Sequence, residues 1–288
     1  MAETIWSGLT LGAIYVMVAL GFMLSLLPSG VFNFAQGAIV AFGTYLSYQW
    51  LHDGMGMVPA ILLNLVIGVG LGLFCELASI RPLRWGRVVV RHAELVTTVG
   101  VSTLLIGITT VVWGVNPLLV PFRGPTKVVH GLGVVAQPVA IIILVASIVL
   151  GVLLHLGFQR TRWGQACLAV AEDRAAAGLR GINVNLLSLF AFGAAGGLGT
   201  LSAFLIGPLT YATPDVGTTL ALGGFVTLAM GGNFLGSVPG GLIVGLASAF
   251  ATRYWGASYA SLSVLGVLVL TLVARPNGIS GRAGVRSV

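Results

Sequence analysis

The sequence predicts an all-α, polytopic membrane protein with about eight or nine transmembrane helices, and three observations carry that expectation. First, 57% of the 288 residues are hydrophobic and only 7% charged, with a mean hydropathy of +1.03. Soluble chains carry roughly 25% charged residues, and a water-facing surface needs that polar cover. Second, apolar runs near or above the ~20 residues that cross a bilayer recur along the whole chain. Third, the arginines cluster between those runs rather than within them. In lipid each backbone polar group must be satisfied within its own segment, so uninterrupted runs of this kind form helices.

In chain order the expected spans are 5–27, 31–51, 58–80, 94–115, 137–157, 186–207, 219–232, 236–252 and 258–274. Glu3 precedes the first, with no basic segment, which makes it an uncleaved span rather than a signal peptide. The second follows the break "LPSG" at 27–30. The seventh, at about 14 residues, is short enough to be re-entrant. It is assigned as a short crossing because a re-entrant segment would send the arginine-bearing tail to the opposite side. Residues 1–288 are thus expected to form a single transmembrane domain with one long cytoplasmic loop at 158–185.

Orientation follows from Lys and Arg in the short loops. Arg81, Arg84, Arg87 and Arg91 lie in one loop, Arg160, Arg162, Arg174 and Arg180 in a second, and Arg275, Arg282 and Arg286 in the tail. Placing all three in the cytoplasm puts eleven of the fourteen positive charges inside and leaves Arg123, Lys127 and Arg253 outside. Nine crossings with the N-terminus outside satisfy that placement. Trp6, Trp50, Trp85, Trp113, Trp163 and Trp255 all fall at or just beyond span ends, where amphipathic rings settle. Glycine, at 42 residues, is about twice its usual ~7% share. Pairs such as Gly8/Gly12, Gly193/Gly197, Gly232/Gly236/Gly240 and Gly241/Gly245 have the small-residue spacing that brings helix backbones together, either for tight packing or for helices that rock against each other.

The segment "RTRWGQACLAVAEDRAAAGLRGIN" (160–183) holds six of the chain's 21 charged residues. Within it "AEDRAAAGLR" predicts a short helix, with Glu172 and Asp173 at its positive N-terminal end and Arg180 at its C-terminal end. Gly181 follows where a left-handed cap is expected. Such a loop is either a topogenic charge cluster that happens to be helical or a docking helix presented to a cytosolic partner. Farther upstream, "NFAQG" opens the second span and places Asn33, Phe34, Gln36 and Gly37 just after the break. The two amides serve either as interhelical hydrogen-bond glue or as a lining of a translocation path.

Several functions are excluded or disfavoured. The net charge of +7 comes with no nucleic-acid-binding signature. No catalytic constellation is present: there is no His-Glu-x-x-His, no Gly-x-Ser-x-Gly and no Ser/Lys pair. Cys75 and Cys167 lack metal or redox spacing, so no metal site is expected. There is no phosphate-loop motif, and the single lysine, Lys127, lies in an outside loop. An ion-gradient-driven transporter or channel is the alternative class. No ionisable residue falls at a span midpoint, where proton coupling usually places one: Glu76, Glu94 and His155 lie near cytoplasmic ends, and Asp53 and Asp215 outside.

The segment 160–184 resembles the cytoplasmic segment of permeases from ABC importers for branched-chain amino acids, the LivH-type family. "GLTLGAIYVMVALGFMLSL" and "VFNFAQGAIVAFGTYLSY" are similar to that family's N-terminal signature, and "GNFLGSVPGGLIVGL" resembles its late turn. The resemblance covers essentially the whole chain. A general permease pattern also fits, EAA-x-x-x-G, as Ala175-Ala176-Ala177, Gly178-Leu179-Arg180, Gly181, with Ala in place of the leading Glu. The resemblance implies that Glu172, Asp173, Arg174, Ala175, Ala176, Ala177, Gly178, Arg180 and Gly181 form a coupling helix seated on an ATPase subunit. It implies a second related permease, two cytosolic ATPase subunits that bind ATP and Mg, and a periplasmic substrate-binding protein, in a bacterial inner membrane. The N-terminus would be periplasmic and the C-terminus cytoplasmic. Where this family usually has His, this chain has Gln36.

Overall fold

The structure, a computed structural model, describes residues 1–82, 93–122, 124, 129–131 and 134–274. Helices occur in the order α1 (Ala2–Ser29), α2 (Ala35–His52), α3 (Met57–Cys75), α4 (Ala93–Trp113), α5 (Pro138–Arg160), α6 (Arg162–Glu172), α7 (Arg174–Leu179), α8 (Val184–Thr210), α9 (Val216–Gly231), α10 (Phe234–Trp255) and α11 (Tyr259–Ala274). All nine expected spans coincide with a helix. Six of them (α1, α3 with the turn that extends it, α4, α5, α8 and α10) are long and apolar enough to cross a bilayer. Helices α9 and α11 have 16 residues each. At a rise of ~1.5 Å per residue such helices fall several ångströms short of a ~30 Å hydrocarbon layer.

Three local features depart from the expectation. A π-helical turn, Glu76–Ile80, extends α3, an irregularity with no period of its own in the sequence. A small antiparallel pair, β1 (Val129–Gly131) and β2 (Val134–Ala136), sits between α4 and α5. The loop expected at 158–185 holds two helices instead of one. Arg84, Trp85, Arg87, Arg91, Arg123, Lys127, Arg275, Arg282 and Arg286 lie outside the described residues. Of the remaining tryptophans, Trp113 and Trp255 are the last residues of α4 and α10.

The chain divides into two compact units, residues 1–20, 124–155 and 219–288 in one, and 21–123 with 156–218 in the other. In the first, α1 meets α10 backbone to backbone. A Cβ on Gly12 would stand 2.6 Å from the Gly241 carbonyl oxygen, and one on Gly245 would collide with the Gly12 backbone. A Cβ on Gly223 would strike the Tyr15 ring. The Gly232/Gly236/Gly240 spacing does not form one face, because Gly232 (φ +72°) lies in the turn between α9 and α10.

The second unit is centred on α8. Of its most apolar 18-residue stretch 72% is buried, against 17% for α4, which therefore lies at the rim. Helix α3 crosses α8 where Gly68 and Gly72 oppose Phe192 and Gly196: a Cβ on Gly72 would collide with the Phe192 carbonyl, and one on Gly196 with the Gly68 carbonyl. Buried polar side chains fasten α3 to α2 and to α8. Asn64 Nδ2 donates to Ser47 Oγ at 2.7 Å and to the Gly43 carbonyl at 3.3 Å, and Thr200 Oγ1 donates to the Asn64 carbonyl at 2.8 Å. With no water to compete, such bonds add to van der Waals contact in holding membrane helices together.

Candidate functional site

Two sequence-predicted clusters lie in the α8-centred unit: the charged segment 160–183 and the break between α1 and α2. The segment begins where α5 ends. Thr161 caps α6 by accepting from the Gly164 amide at 3.0 Å. Gly164 lies so close to the Phe158 backbone that no side chain fits there, which permits the tight return from α5. Thr161 is a cap type visible in the sequence, and α6 is the element that sequence reasoning missed. Because α6 runs through Glu172, that residue closes one helix rather than opening the next. Asp173 alone opens α7, its Oδ1 accepting from the amides of Ala175 (2.8 Å) and Ala176 (2.9 Å). Two orphan amides are satisfied by one carboxylate placed at the positive helix end.

The residues of α7 and its flanks point in three directions. Glu172, Asp173, Ala175, Gly178, Arg180 and Gly181 are exposed, and Ala176 is half-buried. Ala177 is buried against Cys167, Val170 and Leu187, the small core that holds the segment together. Burial pushes the Cys167 thiol up to about 11. Arg174 turns away from the exposed face, and its Nη1 donates to the Ser29 carbonyl at 2.7 Å. Gly181 has φ +85°, and its amide donates to the Gly178 carbonyl, the left-handed stop expected from its position. Among the described residues nothing stands within 4 Å of a Cβ built on Gly178 or Gly181. Leu179, absent from the predicted set, is 91% exposed at the tip. Its signal was present, since it is a leucine on the face opposite the buried Ala177.

The break itself is made by residues 28–34. Pro28 lies in the last turn of α1, and Gly30 has φ +70°, so the chain leaves the helix at once. Phe22 stacks on Phe32 (4.5 Å between centroids), and Phe32 meets Phe34 edge-on (4.7 Å). Asn33 Oδ1 accepts from the Ala35 amide at 3.1 Å and from Cys75 Sγ at 3.3 Å, while its Nδ2 is buried without a partner. Gln36 is fully buried, its Nε2 donating to the Ala195 carbonyl at 2.9 Å and its Oε1 unpartnered. Its amide fills a slot between Gly21 and Gly199, where a Cβ on either would clash with it. Gln36 therefore ties α1, α2 and α8 at one point. Gly37 presents its carbonyl to Gly217, again with no room for a side chain between. Phe34 is 43% exposed and faces outward.

An unpaired buried amide donor and an unpaired carbonyl acceptor one helical turn apart are costly, of the order of 1–3 kcal/mol each. They can be satisfied when a polar solute or water reaches them.

Residues 4–273 match the family described as branched-chain amino acid transport system, permease component. The high-affinity branched-chain amino acid transport system permease protein BraD of Pseudomonas aeruginosa is 30% identical, over 98% of this chain and 96% of its own length. The corresponding permease protein LivH of Escherichia coli is 28% identical, over 99% of this chain and 97% of its own. Among solved structures, PsaBC from Streptococcus pneumoniae in complex with Fab aligns over 96% of this chain and 92% of its own, with a TM-score of 0.49 and 13% identity.

Proposed function

This chain belongs to the family of branched-chain amino acid transport permease components, and on that premise we propose that it forms the transmembrane path of an ATP-driven importer for branched-chain amino acids or similar small polar solutes. Permeases of this family work within a transporter complex. The partners proposed here are a second related permease, two cytosolic ATPase subunits carrying ATP and Mg, and a periplasmic binding protein. The complex sits in a bacterial inner membrane, with the N-terminus of this chain periplasmic and its C-terminus cytoplasmic. As a single transmembrane domain, residues 1–288 supply no ATP site of their own, and the energy reaches the path through residues 172–181.

The observation that carries this reading is the contrast within α7. Ala177 packs inward while Gly178, Leu179 and Gly181 stand bare. A small face with one projecting leucine suits a groove on a partner. Asn33, Gln36 and Gly37 are proposed as path residues, because the buried unpaired amide atoms of the first two lie beside the break in the helix.

The test is uptake into proteoliposomes. Accumulation of a branched-chain amino acid is expected to require the ATPase subunits and ATP, and to persist when proton and sodium gradients are collapsed. Gradient-driven uptake by this chain alone would overturn the reading. Orientation is checked separately with Gly178→Cys, which should be shielded from an impermeant thiol reagent in intact cells.

A further inference from the structure

Arg174 sits within the coupling segment, yet its side chain does not belong to the exposed face. Its guanidinium crosses to α1 and donates to the carbonyl of Ser29, the last residue of that helix. The final carbonyls of a helix lack intrahelical partners and carry partial negative charge, so a cation is favoured there. Burial lowers the Arg174 pKa, and the nearby carboxylates of Glu94 and Glu76 raise it. A guanidinium stays charged under such opposing influences.

Ser29 in turn is bound into the break. Its hydroxyl donates to the Ser25 carbonyl, and the Val31 amide donates to that hydroxyl at 3.0 Å. Two residues further on stands Asn33, held by Cys75, and one turn later Gln36, held by Ala195. Hydrogen bonds therefore run from α7 to Ser29 and Val31, and the peptide chain alone continues from there to the amides of Asn33 and Gln36. Beside it lies a cavity of 430 Å³, lined by Leu26, Gly30, Val170 and Ala171 as well as Arg174. Close-packed surfaces transmit displacement over a broad area. Next to a void, the transmission concentrates in the guanidinium.

We propose that Arg174 is the positioning residue that links the coupling segment to the end of α1, so that movement of the segment by an ATPase subunit shifts the α1–α2 break and the amides of Asn33 and Gln36. This inference rests on the transport reading above. Arg174 does not hold the ATPase. It passes on what the ATPase does.

The experiment compares wild type, Arg174→Gln and Arg174→Lys in the reconstituted complex, measuring ATPase co-purification, ATP hydrolysis and solute uptake per ATP. Loss of one charge-assisted hydrogen bond predicts that Arg174→Gln keeps ATPase binding and hydrolysis but lowers uptake per ATP about tenfold. Lysine keeps the charge on a shorter reach without the planar fork, so roughly a threefold loss is expected. If Arg174→Gln fails to fold, the lysine variant decides alone: a lowered ratio supports the inference and an unchanged one overturns it. Loss of ATPase binding in step with uptake would make Arg174 a docking residue and also overturn it. A wild-type complex without ATP-driven uptake would instead sink the transport reading, a separate result from wild-type transport with an unaltered ratio in the variants.

Discussion

The α3–α8 crossing and the α7 segment are both built from alanine and glycine, and they use those residues in opposite ways. At the crossing, Gly68, Gly72 and Gly196 are small because another helix's backbone occupies the space a side chain would need. At α7, Gly178 is small with none of the described residues within 4 Å of a Cβ built on it. Small residues at the first place are fully explained by the fold. At the second, Gly178 is not, since an exposed helix without a partner gains stability from replacing glycine, by about 1 kcal/mol relative to alanine. Glycine kept bare at the tip of this segment points to a constraint outside the chain.

That contrast can be broken by making one substitution in both places. Gly72→Leu drives a side chain into the Phe192 carbonyl, where overpacking costs at least the typical ~1–3 kcal/mol and the backbone cannot yield. The expected result is loss of monodisperse protein in detergent, read by size-exclusion chromatography. A monodisperse, transporting Gly72→Leu would remove the argument that this crossing is closed.

Ala177→Leu has the next largest effect, because Ala177 is packed against Cys167, Val170 and Leu187. About 1–3 kcal/mol of overpacking should loosen the segment without unfolding the spans. Cys167 reports it. With its thiol at about 11, the reactive thiolate is scarce at pH 8, so alkylation in the wild type should be slow and rise towards pH 11. Ala177→Leu should speed alkylation at pH 8, assigned to Cys167 by peptide mass spectrometry. Equal rates would mean that Ala177 is not part of this core.

Gly178→Leu sharpens the contrast further. None of the described residues opposes it, so expression and monodispersity should match wild type while ATPase co-purification falls about tenfold, equivalent to roughly 1.4 kcal/mol of docking energy. Unchanged co-purification would leave the loop as a charge cluster only. Gln165→Ala should have the smallest effect. Its Nε2 makes only an exposed 3.3 Å contact with the Gln159 carbonyl, and the change should fall within about 0.5 kcal/mol in either assay.

Much of this was legible because lipid imposes simple rules on sequence. Uninterrupted apolar runs must be helices, so all nine spans could be placed within a few residues. Gly8/Gly12 with Gly241/Gly245, and the α8 pair Gly193/Gly197, are close-packed as their spacing predicts. Gly181 could be read as a left-handed stop from its place after Arg180. Helix α6 escaped because its start is marked by a single threonine cap, although Gly164, Cys167 and Val170, buried at every third residue, carried a helical signal. Asn64, which fastens α2, α3 and α8, was visible as a lone amide in "LLNLV", but only its neighbours reveal a role.

The sequence by itself determined the class, the order of the nine apolar helices and some of the places where helices pack closely, such as Gly12 against Gly241 and Gly245. These depend on local composition and on periodicities that each segment carries alone. Tertiary structure decided the direction of side chains at positions of equal composition. Ala175, Ala176 and Ala177 are indistinguishable as letters, yet one is exposed, one half-buried and one in a core. Arg174 would count as one more topogenic cation, yet it holds the end of a helix 145 residues away. Partners so distant in sequence leave no local trace. They are chosen only when folded helices bring a charged group within reach of an orphan carbonyl, where low dielectric makes the pairing worth most.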